Sequence, residues 1–186
     1  MVVSVAKNSG KRFEEDFKTS IPEYCFIQRL YDPPQSFVQS ADTRFSNKNM
    51  CDYIAFDTRN KLLYLLELKT TMYKSIAFED INADNPANRM IHKHQILGLN
   101  KHADLDGVVP CFILNFRNED TKDQRTYFIH IKDFMKMINS TNKKSFDEMD
   151  LILNGAIKIH GLRKRTRYAW DINEFLCNYK LAYANK

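Results

Sequence analysis

Cys51-Asp52-Tyr53-Ile54-Ala55-Phe56-Asp57-Thr58-Arg59-Asn60-Lys61-Leu62-Leu63-Tyr64-Leu65-Leu66-Glu67-Leu68-Lys69 places two apolar runs on either side of a polar segment. Tyr53 to Phe56 and Leu62 to Leu68 read as strands. Asp57 to Lys61 supplies the turn, with Asn60 suited to a positive φ, so a β-hairpin is expected. If the turn centres between Arg59 and Asn60, Asp52 stands directly across from Glu67. Opposed residues of an antiparallel pair hold their Cβ atoms about 4.5–5.5 Å apart, and like charges there repel. Such a pair is tolerated where a cation sits between the acids or one of them is protonated. A hard divalent ion with oxygen ligands, Mg²⁺ or Mn²⁺, is the natural occupant, with Asp52 and Glu67 as its ligands.

Lys69 leaves the same face of its strand as Glu67. Two acids on a metal with an ammonium beside them suit phosphodiester hydrolysis. The metal polarises the phosphate and acidifies a bound water, and the lysine orients that water and offsets transition-state charge. The plain alternative is a Glu–Lys surface pair at a strand end. Two residues elsewhere fit the same chemistry. Phe13, Phe17 and Ile21 recur at four-residue steps, predicting a helix over about 9–20 with Asn8 or Ser9 as its cap. Glu14 borders that apolar stripe, while Glu15 points away. Gln95 lies on the Ile91–Leu99 face of a helix expected over 88–102, where a buried amide needs a partner. His92, His94 and His102 share that segment without an acid or cysteine cluster to complete a zinc site, and His94 is a candidate phosphate contact.

The other elements follow from punctuation and apolar runs. Tyr24 to Leu30 reads as a strand, Asp32-Pro33-Pro34 as a loop before a short apolar patch at Phe37 and Val38, and Asp42 to Asn49 as a polar loop. Val108 to Phe116 reads as a buried strand with Tyr127 to Ile131 as its neighbour. Ser145 with Glu148 and Asp171 with Glu174 have capping-box spacing and mark helix starts. Ala156 to His160 and Thr166 to Trp170 are expected to pair as a second hairpin. The order predicts an α/β fold, with a mixed β-sheet flanked by helices.

The chain has 186 residues, of which 44% are hydrophobic and 27% charged, a length that suits one domain around one core. No apolar run approaches the roughly 20 residues of a membrane helix, and no secretory leader opens the sequence. Cys25, Cys51, Cys111 and Cys177 are scattered and read as reduced thiols, which points to the cytoplasm. The net charge is +5, and residues 141–186 hold nine Lys or Arg against five Asp or Glu. Within that basic segment, about 156–186, Arg163, Lys164, Arg165 and Arg167 are the densest group and are candidate DNA contacts. On a strand, Arg163, Arg165 and Arg167 would share one face. A solvated hairpin arm is the competing explanation.

Asp52 followed by Glu67-Leu68-Lys69 resembles the PD-(D/E)xK signature of restriction-endonuclease-like nucleases. Within that group the chain is similar to RecU-type Holliday junction resolvases of Gram-positive bacteria and their phages. The likeness rests on Asn8, Gly10, Phe13 and Glu14 in the opening helix, on Cys51-Asp52-Tyr53, on Glu67, Lys69 and Thr71, and on His94-Gln95-Ile96. It spans roughly residues 8–135. The resemblance implies a restriction-endonuclease-like core and Mg²⁺ held by Asp52 and Glu67. Lys69 would serve catalysis, and Glu14 and Gln95 would complete the site. It implies a homodimer cutting four-way DNA junctions in the cytoplasm (the host's, for a phage protein), with no small-molecule cofactor and no membrane association. The family's stalk-like insertion corresponds loosely to Arg29 through Asp42. The basic segment has no counterpart in it, and the Asp52-to-Glu67 spacing is slightly long. Two alternatives are a nuclease of the same fold acting on flaps, ends or a restriction site, and a catalytically inactive nucleic-acid-binding protein.

Overall fold

Strand pairing follows the register drawn from the hairpin. The computed structural model describes residues 3–31, 49–85, 87–118 and 120–183, with side chains from Ser9 onward. The expected loop at Asp32-Pro33-Pro34, the Phe37–Val38 patch and nearly all of the 42–49 loop lie outside these residues. The elements in chain order are α1 (Val3–Thr19), β1 (Cys25–Arg29), β2 (Tyr53–Asp57), β3 (Leu62–Thr71), β4 (Ser75–Ala77), α2 (Lys93–Asn100), β5 (Val108–Asn118) and β6 (Asp123–His130). They continue with α3 (Ile131–Asn139), β7 (Ser145–Asp147), α4 (Glu148–Leu153), β8 (Ile157–Ile159), β9 (Gly161–Arg163), β10 (Tyr168–Trp170) and α5 (Ile172–Tyr183). The fold is α/β, with a mixed six-stranded sheet in the order β1-β2-β3-β5-β6-β8. Only β3 and β5 run parallel; the other neighbours are antiparallel. No described helix is long and apolar enough to cross a membrane.

Both sheet faces are covered, which is why β3 and β5 are near-continuous apolar runs rather than alternating ones. On one face Leu65, Phe112, Leu114 and Ile129 pack against Ile96 and Leu99 of α2, Phe134 of α3 and Leu151 of α4. On the other, Tyr64, Leu66, Ile113 and Phe128 meet Phe13 and Phe17 of α1 and Phe175 and Tyr179 of α5. Trp170 ties the second layer together. Its ring centroid lies 5.2 Å from that of Phe13, and its indole N–H donates to Thr126 Oγ1 at 2.8 Å.

Several local expectations are corrected. α1 begins at Val3, well before Asn8 and Ser9, because the residues from Val3 to Lys7 include no helix breaker. In the hairpin turn the positive φ falls on Lys61, not Asn60. The buried Asp57 carboxylate gathers the Arg59 and Asn60 amides and the Asn60 side chain, displacing the left-handed position by one residue. The second helix starts at Lys93 rather than 88, since Ile91 is drawn into a bridge with Phe78 and enters the core from an extended backbone. α4 is capped by Asp147 and Asp150, not Ser145 and Glu148, because Ser145 lies in β7 and Glu148 bonds to Arg125 and Tyr127. At α5 the Glu174 amide does donate to Asp171 Oδ1, at 2.9 Å. The second hairpin joins β9 to β10; Ile157–Ile159 instead extends the main sheet beside β6.

Candidate active site

Tyr53 pairs with Leu66, so the register carries Asp52 to the position opposite Glu67, just before β2 begins. There the Asp52 side chain continues the ladder: its Oδ2 accepts the Leu68 amide at 2.8 Å. Glu67 is 1% exposed, near the C-terminal end of β3. Lys69 Nζ lies 2.7 Å from Glu67 Oε1, and Gln95 Nε2 donates to the same oxygen at 2.5 Å. No described group hydrogen-bonds Glu67 Oε2. Glu14 reaches from α1 at the sheet margin, with Oε2 2.7 Å from the Arg29 guanidinium. That oxygen is buried in an ion pair but lacks hydrogen-bond alignment.

Burial drives the electrostatics. Desolvation pushes the Glu67 carboxyl up to about 8, Lys69 opposes the rise, and the Asp52 and Glu14 charges add to it. Glu14 is raised for the same reasons, burial first and then the Asp52 charge. Three carboxylates, Glu14 on α1, Asp52 just before β2 and Glu67 on β3, therefore feel one another. The adjoining Cys51 thiol is pushed up to about 12, chiefly by burial and then by Glu67 and Asp52, which keeps it protonated and unsuited to nucleophilic chemistry.

Among the described residues no three His, Cys, Asp or Glu side chains are grouped so as to hold a metal ion by themselves. Mg²⁺ does not require such a group, because it is commonly held by one or two carboxylates together with waters and substrate phosphate. The donor set fits that mode. It consists of hard carboxylate oxygens, with Glu67 Oε2 accepting from no described donor and the Asp52 charge adding to the rise that burial gives Glu67 and Glu14.

The structure thus brings Asp52, Glu67, Lys69, Gln95 and Glu14 into one neighbourhood. His94 lies one residue before Gln95 and stacks on His92, with ring centroids 5.4 Å apart. Arg163, Lys164, Arg165 and Arg167 lie elsewhere, in and beside the β9–β10 turn. The strand alternation expected for them fails. Only Arg163 is in a strand, and the Lys164 amide closes a turn onto the Arg167 carbonyl at 2.8 Å. Arg167 is occupied within the protein, with Nε 2.8 Å from Asp16 Oδ1 and a second contact to Glu15. It therefore anchors the hairpin to α1. Arg29 escaped the sequence reading because its approach to Glu14 depends on a β1–β2 pairing across 24 residues, which no local pattern encodes.

No family model matches the chain. It is similar to an SPbeta prophage-derived uncharacterized protein, YotM, of Bacillus subtilis (strain 168). The two are 26% identical over 184 residues, an alignment covering 92% of this chain and 86% of that protein.

Proposed function

We propose that this protein is a Mg²⁺-dependent DNA endonuclease with a restriction-endonuclease-like core, acting as a homodimer that resolves four-way junctions. The observation that carries the reading is the buried Glu67 carboxylate. It stands across the hairpin from Asp52, and a single one of its oxygens is gripped by both Lys69 and Gln95. A surface Glu–Lys pair has no reason to be buried, to recruit a glutamine from a helix, or to face a second acid.

Asp52 and Glu67 would hold the ion, which when bound supplies Lewis-acid polarisation of the scissile phosphate. Gln95 fixes the Glu67 rotamer. Lys69 is held where an ammonium can orient a water and offset charge developing on the phosphoryl oxygens. Burial pushes the Glu67 carboxyl up to about 8, so an ion bound there would favour its deprotonated form. A two-fold dimer would present two such sites to symmetry-related strands, which suits a junction better than a linear duplex. The prophage-derived relative accords with a phage origin for this chain.

The test is cleavage of synthetic four-way junctions, linear duplexes and flaps with and without Mg²⁺. Symmetric nicking of junctions alone is expected. Cutting of every substrate would replace the resolvase by a general nuclease, and binding without cutting would leave an inactive DNA-binding protein. Asp52→Asn and Lys69→Ala should each abolish cleavage while leaving DNA binding nearly intact; cleavage retained in either overturns the site.

A further inference from the structure

A groove of about 650 Å³ runs between α1, the β5–β6 turn and the β9–β10 turn, lined by Arg12, Arg117, Lys122, Arg163, Arg165 and Arg167. Its two acids are neutralised from within the protein. Asp16 is held by Arg167 at 2.8 Å and by the Tyr168 amide at 3.1 Å, and Asp123 by Arg125 at 2.8 Å. Arg117 donates to two neutral hydroxyls, Thr70 Oγ1 at 3.0 Å and Ser9 Oγ at 3.2 Å. Arg12, Lys122, Arg163 and Arg165 have no carboxylate partner among the described residues.

Elsewhere, exposed cations such as Lys101, Lys158 and Lys180 also lack a carboxylate partner among the described residues but lie outside this groove, and others are paired. Lys132, Lys143 and Lys144 each sit 2.7 to 2.9 Å from an aspartate, as expected of a solvated face of mixed charge. In the groove, four unpaired cations share one concavity beside the buried Phe13 and the half-buried Tyr168. Low-dielectric walls lined by one sign of charge focus the field and attract a polyanion. The groove and the candidate site are linked through two shared elements, α1 and β3. Arg117 grips Thr70, the residue after Lys69, and α1 offers Arg12 and Phe13 to the groove while its Glu14 serves the carboxylate cluster.

We propose that this groove is a second nucleic-acid contact, holding the phosphodiester backbone of the DNA substrate beyond the point of cleavage. The proposal rests on the nuclease reading for the identity of the polyanion as DNA. Its contacts are to phosphates, so it contributes affinity and placement without reading bases. Arg12, Lys122, Arg163 and Arg165 make the contacts, and Arg167 positions the turn that carries two of them.

The experiment is equilibrium binding of end-labelled duplex and single-stranded DNA by fluorescence anisotropy across a NaCl series. EDTA is present throughout, so that cleavage plays no part. The variants are the triple Arg12→Gln, Lys122→Gln, Arg165→Gln and the control Lys180→Gln on α5. Each lost phosphate contact removes about 0.9 from the slope of log K against log salt on duplex DNA. The triple variant should therefore flatten the slope by about 2 to 3, with at least tenfold weaker binding near physiological salt, while Lys180→Gln matches the wild type. If the triple variant melts early, Arg165→Gln alone, on the exposed turn, should remove about one unit of slope.

A change on duplex alone assigns the groove to a double-stranded arm, and a change on single strand alone to a displaced strand; both support it. An unchanged slope on both DNAs, or a wild-type protein that binds neither, overturns it. The two proposals fail separately. Wild-type cleavage with an unaltered slope in the triple variant removes the groove and leaves the catalytic site. Slope loss in a protein that cuts nothing does the reverse.

Discussion

The Gln95 side chain joins the N-terminal turn of α2 to Glu67: Nε2 donates to Glu67 Oε1 at 2.5 Å, and Oε1 accepts the His92 amide at 3.0 Å. One amide therefore both ties down the entry to the helix and fixes an acid near the end of β3. Gln95→Ala should lose about 1 kcal/mol of stability from the helix terminus. It should also lower Mg²⁺-dependent cleavage by about 10- to 100-fold, the usual cost of removing a group that orients a metal ligand. Single-turnover cleavage across a Mg²⁺ titration, alongside thermal melting, separates the two effects. A melting shift with unaltered cleavage would leave Gln95 a helix-capping residue only.

Glu67 imposes a pH dependence on the metal-free protein. Its pKa is about 8 in the fold, above the ordinary value of 4.5, because burial disfavours the carboxylate. The unfolded chain therefore releases this proton first. Stability is fully present below about pH 4.5 and is lost as the pH rises toward 8. In EDTA the wild type should melt lower at pH 8 than at pH 5, and Glu67→Gln should shrink that difference because an amide cannot ionise. An equal pH dependence in the two proteins would show that another group is responsible.

The hairpin was legible because both halves of its signal are local: two apolar runs, and a turn whose length sets the register that puts Asp52 opposite Glu67. Gln95 was legible as a polar residue on an apolar helix face, although its partner was not, since 28 residues and a sheet crossing separate it from Glu67. Helix α3 went unread. Its apolar residues follow directly on β6, and nothing but His130, which accepts the Lys132 amide, punctuates the change from strand to helix. The arginine turn departs from strand alternation because β9 ends at Arg163 and the residues after it reverse the chain. Arg117 and Lys122 entered the groove unannounced, as their convergence with the turn depends on where α1 and the second hairpin pack.

Acid should loosen the α4 side of the molecule through Glu148. Burial alone would raise this carboxyl, but hydrogen bonds from Arg125 and the Tyr127 hydroxyl more than offset it and hold its pKa below the usual range. A lowered carboxylate pKa gives stability that is present above the unfolded value and is lost as the pH falls through the folded one. Glu148→Gln should therefore destabilise the protein at pH 7 by about 1 kcal/mol, allowing for solvent screening of the partly open Arg125. It should matter little near pH 3. Urea melts at the two pH values check this, and an equal cost at both would assign the loss to packing instead of charge.

Arg167 and Arg165, two residues apart in one turn, should behave oppositely. Arg167 bonds the nearly buried Asp16, whose other oxygen takes the Tyr168 amide, so the pair clamps the β9–β10 hairpin onto α1. Arg167→Ala leaves that carboxylate short of a partner in a place water barely reaches. It should cost about 1–2 kcal/mol, the lower half of the range for a stranded buried group because the arginine itself is half open to solvent. Arg165 has no carboxylate partner among the described residues, so Arg165→Ala should leave melting unchanged and reduce the salt slope of DNA binding by about one. The comparison is informative because both substitutions remove one positive charge from the same groove. If net charge alone governed binding, the two variants would bind alike. If the turn's placement matters, Arg167→Ala will weaken binding in proportion to its loss of stability, and Arg165→Ala at no cost to it.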